Sequence, residues 1–229
     1  MVDKALDRRP NSAANAERFD RLRGIIRPKA KIAIDFTSSL ALFAIIFPLF
    51  LLIVLALLCT GQSPFYSHVR VGRGGREFGC LKFRSMRCGA DVALTALLER
   101  DPAAKVEWEI NRKLRRDPRV TRIGKILRAT SLDEVPQLFN IMAGQMSLVG
   151  PRPVTRDEFV KFYGSDEAAA YGSVRPGLTG LWQVSGRSGT CYTTRVALDA
   201  QYAQRLSLRT DAVILFQTLN AVIRQKGAW

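Results

Sequence analysis

Two acidic side chains stand next to each other in the segment RATSLDEVPQLFN, which begins at Arg128. Asp133 and Glu134 follow that arginine by five and six positions and precede Pro136. The chain contains a single histidine, His68, in a Ser/Gly/Arg-rich stretch without a nearby nucleophile pattern. Any Ser-His-Asp or Cys-His mechanism would have to use that histidine. General acid-base or nucleophilic chemistry in this chain therefore falls more naturally to carboxylates.

A purely structural role accounts for the same acidic pair. Ser131 can cap a helix that starts here, and both carboxylates then fall in the first turn, where the helix dipole favours anions. Pro136 is tolerated in that turn because its missing N–H costs little there. Periodicity alone therefore favours a helix start over a catalytic pair.

The basic composition predicts an anionic partner. Among 229 residues, 35 Lys and Arg oppose 20 Asp and Glu, which gives a formal net charge of +15. Nucleic acid, an anionic membrane surface or a phosphorylated substrate would each fit that charge. The hydrophobic content of 47% excludes a mostly disordered chain and favours one compact unit.

The cysteines predict neither a zinc site nor a disulfide framework. Cys59, Cys80, Cys88 and Cys191 form no C-x-x-C pair, and His68 alone is available to complete a zinc site. We interpret all four as reduced thiols in a cytosolic setting.

One apolar segment is long enough to cross a membrane. From Phe36 to Cys59 the chain has 24 residues without a charge. A straight helix of that length would measure about 36 Å, against a hydrocarbon core of about 30 Å. The segment is too long for the apolar core of a signal peptide and lacks a small-residue cleavage site, so we expect it in the mature protein. Length alone predicts a spanning helix.

Two features favour a re-entrant hairpin, which enters and leaves the same leaflet. Pro48 removes a backbone hydrogen bond in mid-segment, so a kink is expected just before it. Nine basic residues lie in residues 1–31 and six more follow the segment within thirty positions, and positive charge favours the cytoplasmic side at both ends. A kinked single span stays open, since proline is common in transmembrane helices. Asp35, at the cytoplasmic edge, can pair with Lys29 or Lys31.

The segment YSHVRVGRGGREFGCLKFRSM predicts a β-hairpin from about Ser67 to Phe83, with glycines in the turn. It contains no P-loop pattern. Strand alternation places Lys82 and Arg84 on one face and the apolar pair of Leu81 and Phe83 on the other. These two cations are either an ordinary basic strand face or ligands for an anion.

Helical periodicity covers most of the remaining chain. An amphipathic helix is predicted from about Asp91 to Leu114. A shorter one around Ile123 to Arg128 buries its apolar face either in the lipid boundary or against protein. The C-terminal segment predicts one or two helices with six aliphatic residues available for burial. These are Leu206, Leu208, Val213, Leu215, Leu219 and Val222.

Four motifs in a fixed order resemble those of the bacterial sugar transferases. KFRSM, SLDEVPQLFN, MSLVGPRP and RPGLTGLWQVSGR follow a basic-flanked apolar segment, and the resemblance extends from about Lys29 to the C terminus. Proteins of that family are monotopic phosphoglycosyl transferases that begin exopolysaccharide and glycan synthesis. They transfer a sugar 1-phosphate from a nucleotide diphosphate sugar to a polyprenyl phosphate and release the nucleoside monophosphate. The resemblance reverses the preference for a merely structural carboxylate pair.

The resemblance also implies roles for particular residues. Asp133 would be the nucleophile that forms a covalent aspartyl phospho-sugar intermediate, and Glu134, together with Asp133, would hold Mg²⁺. Mg²⁺ keeps several waters and needs only one or two carboxylates, so an isolated pair suffices. Five basic residues would bind phosphate or substrate. These are Lys82, Arg84, Arg128, Arg152 and Arg175.

For the fold, the resemblance implies an α+β, predominantly helical monotopic membrane protein. It would contain a proline-broken re-entrant helix, a small β-hairpin and interfacial amphipathic helices. Residues 1–31 would be a basic cytoplasmic segment, residues 32–60 the re-entrant hairpin, and residues 61–229 a catalytic domain on the cytoplasmic face of the bacterial inner membrane. Phe47 stands where the family commonly has a serine before the proline, so the break angle is left open.

The expected partners are a UDP-sugar donor, undecaprenyl phosphate as acceptor, and inner-membrane lipid, with UMP released and no nucleic acid bound. Overall resemblance favours galactose or glucose as the sugar, although no single residue decides it, and a homodimer stays open. Two competing interpretations are a membrane-tethered protein that binds nucleic acid or anionic lipid without catalysis, and a structural membrane scaffold. No helix-turn-helix, zinc or RNP motif supports nucleic-acid binding.

Overall fold

The computed structural model describes residues 28–111, 114, 117–185 and 191–223. Most of the basic N-terminal segment predicted for residues 1–31 therefore lies outside the described residues. The described helices are α1 (Pro28–Leu58), α2 (Ala90–Arg100), α3 (Pro102–Asn111), α4 (Arg122–Ala129), α5 (Gln137–Met142), α6 (Arg156–Phe162), α7 (Ser165–Ser173), α8 (Leu181–Val184), α9 (Tyr192–Gln204) and α10 (Leu208–Ile223). The described strands are β1 (Phe65–Val71), β2 (Glu77–Phe83), β3 (Ser147–Val149) and β4 (Gly177–Thr179). A predominantly helical fold with a small hairpin is thereby confirmed.

Helix α1 contains the apolar segment and runs without interruption through Pro48. By length and composition it is able to cross a membrane. Proline leaves the carbonyl one turn earlier without its helical donor, yet α1 continues as one element. The two separate limbs predicted from Pro48 are therefore absent from the secondary structure, and the path of α1 relative to a membrane stays a prediction.

Both halves of α1 pack against the globular part of the chain. In the N-terminal half, Asp35 and Ser39 are buried, and in the C-terminal half Phe50 and Leu57 are buried. Midway, the Phe43 ring contacts the Phe139 ring of α5 at a centroid distance of 4.9 Å. Most other side chains of α1 are exposed and apolar. One stripe of the helix thus faces protein, and the remainder offers a hydrophobic surface.

The hairpin forms as predicted, with β1 and β2 antiparallel and Phe65 opposite Phe83. A 3₁₀ turn over Arg73–Gly75 connects them. Gly74 and Gly75 have φ angles of 68° and 74°, which glycine adopts at no steric cost. The glycine-rich turn thus explains where the chain reverses.

A second, two-stranded parallel sheet was not predicted from the sequence. Strand β3 pairs with β4, with Ser147 opposite Gly177 and Val149 opposite Thr179. The two backbones approach closely beyond the strands, because a Cβ on Gly150 would lie 2.4 Å from the carbonyl oxygen of Arg175. This sheet fixes where the Gly-Pro-Arg-Pro loop leaves β3.

Three clusters of buried side chains hold the elements together. The central cluster consists of Cys80, Leu138, Ile141, Met146, Leu148, Val149, Tyr202 and Ile214. The α1 cluster consists of Phe50, Ile53, Leu57, Phe83 and Leu127. The aromatic cluster consists of Val71, Val154, Tyr163, Tyr171 and Val196. Since the hairpin contributes to all three, it is the common support of the fold.

The amphipathic helix predicted from Asp91 to Leu114 is two helices. The break falls at Asp101, whose Oδ1 accepts from the backbone N–H groups of Ala103 and Ala104 at 2.9 and 3.1 Å. Pro102 follows as the first residue of α3, a position where proline is favoured. The prediction of one helix was therefore wrong because it ignored this local start signal.

Helix α4 is the short amphipathic helix predicted to pack either in the lipid boundary or against protein, and one of its sides packs against protein. The Thr121 side chain caps it by accepting from Gly124 N–H at 2.9 Å. Leu127 is buried in the α1 cluster, whereas Ile126 is 64% exposed. One edge of the short amphipathic helix therefore packs on protein and the other faces outward.

The burial predicted for the C-terminal helix was largely wrong. In α10 the buried residues are Ile214 and Asp211, whereas Leu208, Leu215 and Leu219 are exposed. Val213 is exposed as well, Leu206 before the helix is half-buried, and the side chain of Val222 lies outside the described residues. Helix α10 therefore carries an exposed apolar face.

We expect Gly150→Ala to lower thermal stability. The added Cβ would meet backbone rather than a flexible side chain, and overpacking of this kind costs about 1–3 kcal/mol. A chain of this size loses about 2–4 °C in Tm per kcal/mol, which thermal unfolding in detergent measures.

The matched control is Gly172→Ala in α7. Its Cβ would have no neighbour closer than 3.9 Å, and alanine is preferred over glycine within helices. Equal losses of Tm in the two variants would contradict the close approach of β3 and β4.

Candidate active site

Asp133 and Glu134 lie in a 3₁₀ turn, Leu132–Glu134, between α4 and α5. Ser131 does not cap a helix there, because its φ of 58° is left-handed and its side chain makes no capping bond. A capping residue normally has an extended backbone. Helix α5 begins only at Gln137. The predicted helix start at Ser131 is thus wrong, and the carboxylates occupy a tight turn instead.

Lys82 of β2 holds the two carboxylates together. Its Nζ lies 2.7 Å from Glu134 Oε1 and 3.9 Å from Asp133 Oδ2. The side chains of Lys82, Asp133 and Glu134 are 23%, 13% and 22% exposed. The three residues predicted to act together are therefore neighbours in a partly buried setting.

The ionisation of Asp133 is set by opposing influences. Burial raises the pKa of its carboxyl, and the adjacent Glu134 raises it further, while Lys82, Arg128 and Arg152 lower it. Burial prevails, so the pKa of Asp133 is above its ordinary value. Because burial disfavours the charged form of Asp133, a further cation near it would favour its ionisation.

Arg128 reaches the site from the last turn of α4. Its Nε donates to Ser85 Oγ at 2.9 Å, which ties α4 to the segment after β2. Its positive charge lowers the pKa of Asp133. The structure thus places Arg128 near the carboxylates, and the phosphate contact that the resemblance implies for it stays a prediction.

A small polar pocket opens beside Glu134. Its enclosed volume is about 10 Å³, room for about one water molecule. The lining residues are Arg70, Cys80, Lys82, Glu134, Gln137, Arg152, Pro153, Gly177, Leu178 and Gln183. Three cations, Arg70, Lys82 and Arg152, thus line the same pocket as the Glu134 carboxylate.

Arg152 is positioned by its backbone as well as by the flanking prolines. Its carbonyl accepts from the Tyr171 hydroxyl at 3.3 Å, and its backbone lies near the carboxyl of Asp199, whose pKa it lowers. Its guanidinium lies 5.9 Å from the centre of the Trp182 ring. Arg195 lies at 4.7 Å from the same ring. Two guanidinium groups thus meet at one indole next to the pocket.

Arg70 belongs to the pocket but was not predicted. Its Nη1 lies 3.2 Å from Glu158 Oε2. Burial lowers the pKa of Arg70, and the neighbouring charge of Arg152 lowers it further. The predicted hairpin already contained the signal, because the register puts Tyr66 opposite Lys82 and alternate residues share a face. Arg70, four residues after Tyr66, therefore lies on the face of Lys82.

Besides Arg128, two further predicted phosphate ligands do not line the pocket. Arg84 binds backbone, with its Nε 2.9 Å from Ser63 O and its Nη2 3.3 Å from Phe65 O. Arg175 binds Asp35 Oδ2 at 2.8 Å and Met146 O at 3.1 Å. Both guanidinium groups act as ties between segments, because hydrogen-bond acceptors of the protein already engage them.

His68 and the cysteines take no part in a catalytic pair. Burial and Arg70 lower the pKa of His68, and its Nδ1 has no hydrogen-bond partner in the described part of the chain. All four cysteines are free thiols, as predicted. The described residues contain no group of three or more His, Cys, Asp or Glu able to hold a metal, so a zinc-type cage is absent from them.

The acidic pair offers ligand atoms of the kind that Mg²⁺ takes. Mg²⁺ prefers oxygen ligands, keeps several waters and is often held by one or two carboxylates. Asp133 and Glu134 supply such oxygens, and a bound cation would oppose the burial that raises the pKa of Asp133. Glu134 Oε1 is engaged by Lys82, so metal binding there requires Lys82 to share or release that oxygen.

Comparison with known proteins agrees with the motifs. The model of the family described as bacterial sugar transferase matches residues 26–225. The chain therefore belongs to the bacterial sugar transferase family, and the resemblance predicted from its motifs is confirmed.

Several characterised or named relatives are similar over most of the chain. It is 48% identical to the exopolysaccharide production protein ExoY of Rhizobium meliloti, over 90% of this chain and 92% of that protein. It is 44% identical to the UDP-galactose-lipid carrier transferase of Erwinia amylovora, over 87% of this chain and 41% of that protein. It is 38% identical to the UDP-glucose:undecaprenyl-phosphate glucose-1-phosphate transferase of Caulobacter vibrioides, over 87% of this chain and 72% of that protein. The chain thus spans about two fifths of some relatives and nearly all of others.

Asp199, which supports Arg152, predicts a pH-dependent stability. Burial raises its pKa to about 7, although the hydrogen bond from Tyr163 and the nearby Arg152 backbone lower it. The folded protein therefore keeps a proton that the unfolded chain releases near pH 4. This stabilisation is present below the unfolded pKa and is lost as the pH rises through about 7.

We expect Asp199→Asn, whose amide does not ionise, to flatten the fall of Tm between about pH 4 and 7. Thermal unfolding of wild type and variant across that range measures the difference. The matched control is Asp166→Asn at an exposed position, which should keep the wild-type slope. An unchanged slope in Asp199→Asn would contradict the assignment.

Proposed function

We propose that this protein transfers a sugar 1-phosphate from a UDP-sugar to undecaprenyl phosphate and releases UMP, as the first membrane step of exopolysaccharide or glycan synthesis. The observation that carries the proposal is the acidic pair Asp133 and Glu134, bridged by Lys82 and placed beside Arg70 and Arg152. Family membership and the names of the relatives support the same reaction.

The proposed reaction has two displacements. In the first, an Asp133 carboxylate oxygen attacks the phosphorus that bears the sugar, the bond to the bridging oxygen breaks, and UMP leaves with that electron pair. In the second, a phosphate oxygen of the polyprenyl phosphate attacks the same phosphorus and Asp133 leaves as a carboxylate. The product is a polyprenyl diphosphate sugar, and the enzyme is restored without a proton donor.

The basic residues offset negative charge at each stage. Lys82 lies between the carboxylates and lowers the pKa of Asp133, which favours the ionised nucleophile. The planar guanidinium groups of Arg152 and Arg128 suit bidentate phosphate contact. Mg²⁺ bound at Asp133 and Glu134 would neutralise the diphosphate and reduce its repulsion of the nucleophile. A UDP-sugar would lie across the mouth of the pocket, because the enclosed volume is too small to contain it.

Arg70 joins this set as a proposed diphosphate ligand. Burial lowers the pKa of both Arg70 and Arg195, and the nearby charge of Arg152 lowers each of them further, so Arg152 repels the guanidinium groups on either side of it. A bound anion relieves such repulsion. The neighbouring Glu158 forms an ion pair with Arg70 and acts more weakly on Arg195.

For the membrane, we propose a monotopic protein on the cytoplasmic face of the inner membrane, with α1 re-entrant. Both halves of α1 pack on the same globular part, and basic residues flank the segment on both sides. A helix that emerged on the opposite side would carry one of those docked halves away from the globular part. The exposed apolar faces of α1 and α10 supply surface for the lipid boundary.

The sugar is proposed as galactose or glucose, since the names of two relatives specify these. The alternative of nucleic-acid binding lacks support from the site. The cations of the pocket are partly buried with carboxylates instead of forming an exposed strip of the kind that tracks a phosphate backbone.

Asp133→Asn is expected to reduce turnover at least a thousandfold, because the amide is not a nucleophile. The measurement is UMP release by the full chain in nanodiscs, with Mg²⁺, undecaprenyl phosphate and a panel of UDP-galactose, UDP-glucose and UDP-N-acetylglucosamine. The matched control is Asp166→Asn, with the same chemical change on the exposed side of α7. Wild-type turnover in Asp133→Asn would overturn the nucleophile assignment, and salt-sensitive DNA binding with no turnover in wild type would overturn the proposed function.

Arg70→Gln is expected to raise the KM for the UDP-sugar about tenfold or more, since a hydrogen bond to a charged group contributes about 1.5–3 kcal/mol. Steady-state kinetics with saturating acceptor measure KM and kcat separately. Arg76→Gln removes the same charge from an exposed position of the hairpin and should leave KM unchanged. Glu158→Gln tests the ion pair itself, and an equal rise in KM in that variant would assign Arg70 a structural role instead.

A further inference from the structure

Helix α1 carries a polar stripe that faces protein. Lys31, Asp35 and Ser39 recur every four residues and are 9%, 3% and 0% exposed. Residues four apart lie on one face of a helix. A helix anchored only by lipid has no need of buried charges, because burying a charge is costly unless it is paired. The stripe therefore has a function in how α1 meets the globular part.

Asp35 is the centre of the contact. Its carboxylate accepts from Ser147 Oγ at 2.8 Å, from Arg175 Nη2 at 2.8 Å and from the backbone N–H of Leu148 at 3.3 Å. Lys31 Nζ lies 3.8 Å away on the same helix. Two of these donors belong to β3. One carboxylate of the apolar helix is thus bound directly to the strand that precedes the Gly-Pro-Arg-Pro loop.

A second branch reaches the same strand from α10. Lys31 Nζ lies 2.5 Å from Asp211 Oδ2. The Tyr202 hydroxyl lies 2.7 Å from Asp211 Oδ1 in α10 and 2.8 Å from Val149 O at the end of β3, so its one proton is shared between these two acceptors. Both branches therefore converge on residues 147–149.

The charges of this cluster balance. Lys31 and Arg175 provide two positive charges, and Asp35 and Asp211 provide two negative ones. Buried ion pairs are weak evidence for stability, because well-packed apolar residues often do as well or better. Their hydrogen bonds are directional, however, and fix one relative position of the partners. The cluster thus sets the position of α1 against β3 more than it adds free energy.

We infer that Asp35 is a positioning residue, which fixes β3 against α1 and thereby holds Arg152 at the pocket. Arg152 follows Val149, the last residue of β3, by three residues. The contact between β3 and Asp35 therefore connects Arg152 to α1. The inference rests on the proposed function only for its kinetic test. Docking of the membrane helix would then be required for the geometry of the site as well as for anchorage.

The first test needs no substrate. In Asp35→Asn, one carboxylate oxygen becomes an NH₂ group that faces donors, so Arg175, Ser147 or Leu148 loses its acceptor. Hydrogen-deuterium exchange of the full chain in nanodiscs should show faster exchange in peptides covering residues 146–152. The control is Thr37→Val, two residues away on the exposed side, where the hydroxyl bonds only its own helix. Exchange that changes in α1 alone, or nowhere, would overturn the inference.

The second test is a double-mutant cycle with Arg152→Lys. Asp35→Asn should lower kcat/KM for the UDP-sugar about tenfold in the wild-type background, a loss of about 1.4 kcal/mol. In the Arg152→Lys background it should cost far less, because the residue it positions is already impaired. If the two residues acted independently, the fold-changes in kcat/KM of the two single variants would multiply in the double variant. Such multiplication would overturn the inference.

A milder variant covers the case in which Asp35→Asn fails to fold. Ser147→Ala removes one hydrogen bond to Asp35 without leaving a buried charge, and it should show the same dependence on Arg152 with a smaller effect. Equal amounts of folded, membrane-bound protein are compared throughout. If the wild-type protein showed no turnover, the proposed function would be overturned. The positioning role of Asp35 would then be decided by the hydrogen-deuterium exchange experiment, which needs no substrate.

Discussion

Two adjacent carboxylates in a partly buried turn repel each other, and the site is arranged to offset that repulsion. Lys82 reaches Asp133 and Glu134 from β2, so the hairpin must pack against the turn between α4 and α5. Further cations arrive from β1, from α4 and from the loop after β3. The aromatic cluster holds β1 and the segment after β3 through Val71 and Val154, and the α1 cluster holds α4 through Leu127. The acidic pair thus accounts for why such short and separate elements meet at one place.

The membrane helix belongs to the same arrangement. It contributes Phe50, Ile53 and Leu57 to the cluster that buries Phe83, the neighbour of Lys82. At its other end it binds β3 through Asp35. The exposed apolar surface of α1 and the residues around the acidic pair thus belong to one packed unit.

Local patterns predicted what depends on neighbours in sequence. The hairpin followed from strand alternation and the glycines of its turn, and the motif around Asp133 identified the family. Features that depend on distant contacts were missed: Arg175 binds Asp35, 140 residues away, so its motif alone did not predict a structural tie. Arg70 was missed because its significance depends on the hairpin register and on Arg152. The wrong cap at Ser131 reflects a left-handed backbone that the residue type does not indicate.

The central claim is that Asp133 carries the sugar phosphate between donor and acceptor. The most direct measurement is the mass of the intact wild-type protein after exposure to UDP-sugar and Mg²⁺ without polyprenyl phosphate, followed by peptide mapping. The account predicts one sugar phosphate per chain on the peptide that contains Asp133, lost when the acceptor is added. UMP release only when both substrates are present, with no adduct on any peptide, would contradict it.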